Sequence, residues 1–357
     1  MMLAYVYRSE DKAFELREKE KPVLGLDTKA VVRVLACSIC GTDIRTFQLG
    51  SEKIEDGQTV GHEIVGQITE LAEEYEGGFG VGDYISIAPA IGCGTCVSCR
   101  AGATNMCDDL NTIGFQYEGG FAEYMAIPKQ AFAMGNVYRL PLMKEVADYT
   151  VFALSEPLAC VLNAQSYLAI SEGDDVVVIG GGTIGCMHAE LAKNAKANKV
   201  IIAETSQSRI KQAEELLSDR DIILVNSRES DLKGAVNEIT DGKGADVVVI
   251  ACSVGQAQAE GMNLLAKRGR ISLFGGLVGE SCGFIDSNLI HYKEVSVFGV
   301  HASTAEQNKA AMKLIRDGII DANKYITRRY PLDSIEEAFK EAVKGEAMKI
   351  IISEKRQ

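Results

Sequence analysis

The 357-residue chain lacks an excess of basic residues, because 37 lysines and arginines stand against 50 aspartates and glutamates, giving a net charge of −13. The acidic residues are spread along the chain without blocks, which disfavours nucleic acid or an anionic membrane surface as a partner. The apolar runs at 176–187 and 247–259 are shorter than the ~18 residues of a membrane span and contain Gly or Gln. We therefore expect a small-molecule substrate, no nucleic acid and no membrane.

The chain also lacks a recognisable export signal, since "MMLAYVY" reaches Arg8 too soon to supply an apolar core after a basic region. We therefore expect a cytoplasmic protein. The ten cysteines then predict metal ligands rather than disulfides, because a chain of this length builds its cores without cross-links. Half of them lie in apolar or Gly-rich surroundings and are expected to be small buried side chains: Cys37, Cys160, Cys186, Cys252 and Cys282.

Two different hydrophobic patterns divide the chain. The first part carries short β-like runs, such as "AVVRVLA" and "YISIAP", between Gly and Asp turns, which indicates a β-rich, barrel-like domain. From Asp175 onward, compact strands such as "DVVVIG", "KVIIAE" and "ADVVVIA" alternate with helical segments, a pattern typical of a parallel sheet covered by helices. A sixth strand is predicted at 294–300 and a closing strand at "MKIIIS". The predicted fold class is α/β with a second, β-rich domain, joined near "EPLACVLNAQSYL".

A glycine-rich turn follows the first strand of the second part. "VVVIGGGTIG" places Gly180, Gly182 and Gly185 in the G-x-G-x-x-G pattern between a strand and a helix. These glycines allow a tight turn, close approach to a pyrophosphate and close packing of helix on strand. The amides of Thr183 and Ile184 are expected to face the phosphates. The turn therefore predicts a dinucleotide site.

The residue that contacts the ribose is predicted to be Glu204, which ends the next strand 19 residues after Gly185. A carboxylate there accepts hydrogen bonds from the ribose hydroxyls and repels a 2′-phosphate, which favours NAD over NADP. Arg209 follows shortly afterwards. It could stack on the adenine, tolerate a phosphate, or be a solvated charge on a helix.

A cluster of four cysteines occupies the segment 92–107. Their spacing, C-x2-C-x2-C-x7-C, suits a tetrahedral zinc ion with no position left for substrate, so the expected role is structural. A DNA-reading zinc finger is disfavoured by the acidic chain and by the absence of a basic recognition helix. The ligands are Cys93, Cys96, Cys99 and Cys107.

A second possible metal site is dispersed along the chain. Cys40 in "CSICGTD", His62 and Glu63 in "VGHE" and Glu156 in "LSEPLA" offer a thiolate, an imidazole and one or two carboxylates. Three protein ligands with an open or exchangeable fourth position are what a catalytic zinc requires. Beside a dinucleotide fold, this set predicts a catalytic metal site.

These motifs together resemble the zinc-dependent medium-chain dehydrogenase/reductase family over nearly the whole chain. "CGTD", "GHE", the four-cysteine loop, "GGFAEY", "EPLA" and "GGGTIG" stand in the order of that family. Glutamate in "EPLA" is similar to the polyol, threonine and galactitol-phosphate dehydrogenase branch. The resemblance implies a homodimer or homotetramer and three segments: a GroES-like catalytic domain at 1–157 with the structural zinc lobe at 92–107, a Rossmann NAD-binding domain at 158–296, and a C-terminal segment at 297–357 that completes the catalytic domain.

The resemblance also implies roles for individual residues. Glu63 and Glu156 would be zinc ligands that exchange during turnover, and which of them ligates the resting zinc is left open. Thr42 would hydrogen-bond the substrate hydroxyl and pass on its proton, and Asp43 would orient His62. The nicotinamide end of the cofactor would lie along "ACSVG", "LFGG" and "FGVH". The residues implied there are Cys252, Val254, Phe274 and Val300.

Two further positions are implied to border the substrate. Many relatives carry histidine two residues after "CGTD", whereas this chain has Arg45, which cannot relay a proton near pH 7. Either water or the cofactor ribose takes over the relay, or Arg45 binds an anionic group of the substrate, or it is only solvated. His301 lies in a segment that borders the substrate pocket in relatives.

The predicted function is NAD-dependent oxidation of a secondary alcohol of a polyol, sugar or sugar phosphate, with two zinc ions per chain, one catalytic and one structural. In this mechanism zinc lowers the pKa of the alcohol, and hydride moves from carbon to the nicotinamide. One alternative is oxidation of an amino alcohol such as L-threonine. Another is a non-catalytic relative that binds a dinucleotide only.

Overall fold

The computed structural model describes residues 1–72, 78–277 and 285–353. The chain divides into two compact units, one formed by Met1–Cys160 with Ala302–Gln357 and the other by Val161–His301. The first unit therefore contains both ends of the described chain, and the second is inserted between them. Cys282, expected to be a buried thiol, lies outside the described residues.

The first unit begins with short strands joined by turns. These strands are β1 (Met2–Arg8), β2 (Ala13–Lys19), β3 (Thr28–Ser38), β4 (Glu63–Leu71), β5 (Tyr84–Ile87), β6 (Ala90–Ile91), β7 (Asn111–Thr112), β8 (Tyr124–Pro128) and β9 (Val137–Arg139). The helices between them are short: α1 (Gly41–Leu49), α2 (Val97–Arg100) and α3 (Lys129–Ala133), with 3-10 turns at Thr104–Met106 and Val146–Leu154. Helix α4 (Ser155–Leu168) follows, and the division between the units falls inside it.

The second unit alternates strands and helices. Its strands are β10 (Val176–Ile179), β11 (Val200–Glu204), β12 (Ile223–Asn226), β13 (Ala245–Ile250), β14 (Leu265–Leu273) and β15 (Ser296–Gly299). Its helices are α5 (Thr183–Asn194), α6 (Gln207–Leu216), α7 (Leu232–Ile239), α8 (Gly255–Leu264) and α9 (Ser287–Lys293). Strand β15 is shorter than predicted because Glu294, at φ 52°, ends α9 in a left-handed conformation.

All six strands of the second unit are parallel, in the order β12-β11-β10-β13-β14-β15. The order changes direction beside β10, where open α/β sheets bind their ligands. Every side chain of β10 is buried, as expected for a central strand covered by helices on both faces. The predicted parallel sheet is therefore confirmed.

The chain then returns to the first unit through α10 (Ala305–Arg316), α11 (Ala322–Tyr325), β16 (Ile326–Tyr330), a 3-10 turn at Leu332–Ser334, α12 (Ile335–Lys344) and β17 (Lys349–Ser353). Strand β17 pairs antiparallel with β3, so the sheet runs β16-β17-β3-β4-β5-β9, with β8 also paired to β3. Helix α12 brings Phe339, fully buried, against the rings of Tyr5, Phe14 and Phe121. The last segment of the chain thus belongs to the core of the first unit.

Within the residues that the structure covers, no helix combines the length and apolar character of a membrane span.

Candidate active site

Helix α1 begins at a cysteine. Cys40 is its N-cap residue, and its sulfur accepts a hydrogen bond from the Thr42 amide at 3.5 Å. The backbone amide of Cys40 donates in turn to Asp43 Oδ2 at 2.9 Å, which completes a capping box. The N-terminus of a helix favours negative charge, so this position suits a thiolate.

The same aspartate reaches a histidine. Asp43 Oδ1 lies 3.4 Å from Nδ1 of His62, and both side chains are buried. Burial lowers the pKa of His62, but the Asp43 carboxylate and Cys40 outweigh it and hold that pKa well above its ordinary value. His62 Nδ1 has no close hydrogen bond among the described residues. An imidazole placed between a carboxylate and a thiol fits a metal ligand that the carboxylate orients.

Glu63 is fully buried at the start of β4, and its carboxylate is held by two neighbours. Lys349 Nζ lies 2.6 Å from Oε2 and 2.8 Å from Oε1, and the Ser38 hydroxyl donates to Oε2. Sequence reasoning missed both neighbours. The available signal was a lysine directly before the apolar run "IIIS", because a lysine buried in a strand requires an opposite charge.

The ligand atoms of Cys40, His62 and Glu63 all lie within 4.8 Å of one another. A thiolate, an imidazole and a carboxylate are the donor types that zinc takes, and three such ligands leave one position for water or substrate. The donor set therefore fits the zinc ion that the sequence predicts here.

Glu156 lies outside that set of three, so its role as an exchanging ligand stays a prediction. It is buried in the first turn of α4, and Cys160 donates to its Oε1 at 3.5 Å. Burial raises the pKa of Glu156 to about 7; Glu63 raises it as well, and His62 opposes the shift. The carboxylate of Glu156 therefore interacts electrostatically with His62 and Glu63.

Two other predicted residues flank this site on α1. Thr42 is half-buried, and its Oγ1 accepts a hydrogen bond of 3.4 Å from Arg45 Nη2. The guanidinium thus rests beside the hydroxyl that is predicted to bind the substrate. The ring of Phe115 also lies near the site, 5.8 Å from the imidazole of His62.

The four-cysteine lobe gathers its thiols as predicted, with all four sulfurs within 4.8 Å of one another. Backbone amides donate to these sulfurs, for example Cys93 to Cys107 at 3.1 Å and Cys99 to Cys96 at 3.4 Å. Hydrogen bonds from Thr95 and the Cys96 amide lower the pKa of Cys93 to about 6, whereas burial raises the pKa of Cys99 to about 12. Four thiolates so close together require a cation, and this donor set fits a closed tetrahedral zinc.

The glycine turn of the second unit adopts the geometry that the motif requires. Gly180 has a φ of 113°, which residues with a side chain rarely adopt. A Cβ on Gly185 would lie 1.8 Å from the Gly180 oxygen, so only glycine lets α5 pack this closely on the turn. Gly182 is the N-cap of α5, whose first residues are Thr183 and Ile184. The N-terminus of a helix favours an anion, so the start of α5 suits a phosphate group.

Glu204 ends β11 beside this turn, and its carboxylate is fixed by backbone amides. Gly181 donates to Oε2 at 2.8 Å, and Thr205 and Ser206 donate to Oε1 at 2.7 and 2.9 Å. Burial opposes ionisation, but these hydrogen bonds and the charge of Arg209 lower the pKa of Glu204. The carboxylate is therefore ionised and rigid at neutral pH, as contact with a ribose requires.

The residues implied for the nicotinamide end lie at the same edge of the sheet. Cys252 follows β13, Phe274 follows β14 and Val300 follows β15, so each stands at the carboxyl end of a parallel strand. Val254 is the N-cap of α8. His301, the last residue of this unit, is exposed and accepts a hydrogen bond from Asn163 through its backbone oxygen.

Comparison with known proteins covers the whole chain. Residues 26–136 match the model of the alcohol dehydrogenase GroES-like domain, and residues 183–317 match that of the zinc-binding dehydrogenases. A sorbitol dehydrogenase of Halalkalibacterium halodurans is 31% identical over 95% of both chains, and an L-threonine 3-dehydrogenase of Pyrococcus horikoshii is 31% identical over 98% of both. A solved zinc-binding dehydrogenase of Sinorhizobium meliloti, bound to NADP, superposes over 99% of both chains with a TM-score of 0.88 at 28% identity.

The chain belongs to the zinc-containing medium-chain alcohol dehydrogenase family. The predicted family, the α/β fold class with a GroES-like and a Rossmann part, and the enzyme class are thereby confirmed. The protein is an oxidoreductase of the zinc alcohol dehydrogenase class that acts on a small molecule, with zinc and a nicotinamide dinucleotide as its cofactors.

Substituting Glu204→Gln should relax the choice of cofactor. The amide retains one acceptor oxygen but loses the charge that repels a 2′-phosphate, so we expect NAD to bind roughly tenfold more weakly and NADP to bind more tightly, as loss of a charged hydrogen bond implies. Fluorescence titration with both cofactors measures the two dissociation constants. Glu214→Gln, an equal change of charge on the exposed face of α6, is the control. An unchanged ratio of the two constants would show that the ribose is recognised elsewhere.

Proposed function

We propose that this protein oxidises a secondary alcohol of a polyol or sugar with NAD as hydride acceptor, and reduces the matching ketone in reverse. The observation that carries the proposal is the Cys40–His62–Glu63 set in a chain of the zinc dehydrogenase family. The unit Met1–Cys160 with Ala302–Gln357 would hold the metal and the substrate. The unit Val161–His301 would hold the cofactor. The sorbitol dehydrogenase relative supports a polyol as substrate.

The geometry supports the following roles for the residues. Zinc, when bound, supplies Lewis-acid polarisation of an alcohol oxygen, which lowers the pKa of the hydroxyl. Cys40 and His62 would hold the ion, and Asp43 would fix both through its two carboxylate oxygens. Thr42 would take the hydrogen bond from the substrate hydroxyl and pass its proton on.

In the second unit, the helix N-terminus after Gly182 would hold the pyrophosphate of the cofactor. Glu204 would accept hydrogen bonds from the ribose, and its fixed negative charge supports NAD over NADP. Cys252, Phe274 and Val300 would pack along the nicotinamide end. The nicotinamide, when bound, would supply a hydride acceptor, so that a carbinol carbon which gives up a hydride and its hydroxyl proton would become a carbonyl.

A cavity of about 660 Å³ lies in the first unit, and a substrate that reached into it would meet mostly polar side chains. Its wall includes Phe115, whose ring lies 5.8 Å from the imidazole of His62. Carboxylates outnumber cations along its wall, which disfavours a phosphate and suits hydroxyls. The same wall would also suit the ammonium of an amino alcohol, so an L-threonine-type substrate is the second candidate. The polar wall residues are Ser9, Glu52, Lys53, Glu55, Asp56, Asn111 and Gln116.

We also propose a homodimer or homotetramer located in the cytoplasm. Strand β15 (Ser296–Gly299) ends the sheet order of the described part of the second unit, so its outer edge can pair with another copy. Thiolates used as metal ligands suit a reducing compartment. Light scattering of the purified protein should give a mass of two or four chains, and fractionation should place the protein with cytoplasmic markers. A monomer, or a membrane or exported fraction, would contradict these two proposals.

Replacing Cys40 by Ala should abolish turnover while leaving NAD binding intact, because a ligand of the open metal site is lost. Loss of the sulfur that caps α1 should lower stability by only about 1 kcal/mol. Metal analysis should fall from about two zinc ions per chain to one. Cys96→Ser is the matched control, because it removes a ligand of the closed site and should lower thermal stability. Retained activity in Cys40→Ala, or two zinc ions after that substitution, would refute the catalytic assignment.

A screen of nicotinamide reduction with polyols, their phosphates, L-threonine and simple alcohols should find the highest kcat/KM with polyols or sugars. The same screen with Arg45→Ala tests the guanidinium beside Thr42. If Arg45 binds an anionic group, phosphorylated substrates alone should lose roughly tenfold or more in kcat/KM. Arg316→Ala, an exposed arginine on α10, is the control. Turnover of L-threonine with indifference to polyols would favour the second candidate, and no turnover of any alcohol would sink the proposed function.

A further inference from the structure

A histidine is buried in the second unit, and one of its ring nitrogens makes no hydrogen bond. His188 lies in α5 and is fully buried. Burial lowers the pKa of its imidazole to about 3, so the ring is neutral at physiological pH. Its Nε2 has no hydrogen-bond partner among the described residues. Because a buried polar atom without a partner destabilises the folded state, a histidine at this position requires an explanation.

The neighbour of this ring on α4 fixes which nitrogen carries the proton. Gln165 Nε2 donates to the backbone oxygen of His188 at 2.9 Å and lies 3.4 Å from Nδ1 of the same residue. A carbonyl oxygen only accepts, so the atom that faces it is the amide nitrogen and not the amide oxygen. Nδ1 therefore faces a donor and is itself an acceptor, which places the proton of the neutral imidazole on Nε2. The nitrogen without a conventional partner is thus an N–H donor.

The ring that lies against this imidazole is that of Phe274. The two ring centroids are 5.2 Å apart and the ring planes meet at 87°, an edge-to-face arrangement. The face of a phenyl ring is partially negative and attracts an N–H group. Ser272 Oγ is not the acceptor, because this buried hydroxyl on β14 has no hydrogen-bond partner among the described residues either. The face of Phe274 is therefore the acceptor that the geometry offers to the Nε2–H group.

This contact lies between two parts of the proposed cofactor site. His188 follows Ile184 by four residues, so the two share one side of α5. Ile184 belongs to the first turn of that helix, where the pyrophosphate is proposed to bind. Phe274 directly follows β14 and is half-buried, at the edge of the sheet where the nicotinamide is proposed to bind. About one turn of α5 thus separates the proposed phosphate contact from the residue that touches Phe274.

We propose that His188 is a positioning residue for the nicotinamide, because its Nε2–H group donates to the face of Phe274 and holds that ring in the orientation that packs against the cofactor. The inference rests on the proposed function, since it takes Phe274 as a neighbour of the nicotinamide. Gln165 acts one step earlier, because it sets which nitrogen of His188 carries the proton. A leucine in place of His188 would fill a similar space but would leave the phenyl ring without this donor.

The binding test compares NADH with ADP-ribose, which lacks the nicotinamide ring, by calorimetric titration of the full chain. We expect His188→Leu to weaken NADH binding by roughly threefold to tenfold, the range of one aromatic contact, and to leave the dissociation constant of ADP-ribose unchanged. Thermal stability should not fall, because an apolar side chain replaces a buried polar one with an unbonded nitrogen.

The control is Ile210→Ala, which removes a buried side chain of α6 in the same unit. It should lower thermal stability and leave the ratio of the two dissociation constants unchanged. Equal weakening of NADH and ADP-ribose in His188→Leu would mean a purely structural role and would overturn the proposal, as would unaltered binding of NADH.

The position of the proton is tested by nitrogen-15 NMR of the imidazoles in the wild-type chain. The chain has four histidines, and the signals of His188 are those missing in His188→Leu or, if that variant does not fold, in His188→Gln. We expect the proton on Nε2 at neutral pH, shifted upfield by the ring current of Phe274, and Phe274→Leu should remove that shift. Gln165→Met, which removes the donor to Nδ1, should mix the two tautomers.

A proton on Nδ1, or an Nε2 proton that does not respond to Phe274→Leu, would refute the proposal. If the wild-type protein oxidises no alcohol, the proposed function fails, while the NMR signals and the comparison of NADH with ADP-ribose still decide the role of His188.

Discussion

A buried carboxylate that must be neutralised constrains the first unit of this protein. Glu63 has no contact with solvent, and its charge is balanced by Lys349, whose strand comes from the far end of the chain. The ion pair therefore requires β17 to lie beside β3 in register, with Ser38 opposite Glu63. If the C-terminal segment left this sheet, the buried carboxylate of Glu63 would lose its counter-ion. The ion pair between Lys349 and Glu63 thus helps to hold the C-terminal segment in the first unit.

A second carboxylate, that of Asp43, orients the proposed metal ligands. Asp43 binds the amide of Cys40 through one oxygen and lies beside His62 with the other. A single side chain in the first turn of α1 thus relates a ligand on its own helix to a ligand that precedes β4. The helix cap and the proposed metal site share one side chain, because the thiol that caps the helix is also the predicted metal ligand. Both the cap of α1 and the proposed metal site therefore depend on the sulfur of Cys40.

Much of the fold and part of the site could be predicted because the signals are local. The run "VVVIGGGTIG" contains a strand, a turn and a helix start in consecutive residues, and steric conflict at Gly185 explains why that spacing is needed. The three dispersed metal ligands were found by their residue types and then by family resemblance. The contacts of Lys349 and Ser38 with Glu63 could not be predicted, because they depend on the register of strands that lie far apart in the sequence. The hydrogen bonds that fix Glu204 escaped for a related reason, since they come from the turn after β10 and from its own loop.

The two metal sites differ in how far apart their ligands lie in the sequence. Four thiolates within 92–107 can be assembled by one short lobe and its backbone amides, so the motif is conspicuous and the coordination is closed. A metal that must admit a substrate cannot be enclosed by one loop, because a position has to stay free and its ligands have to be held by separate elements. Here those elements are the start of α1, the segment before β4, and β4 itself, steadied by a lysine from β17. The less conspicuous set is therefore the one in which exchange of ligands, and with it the chemistry, is physically possible.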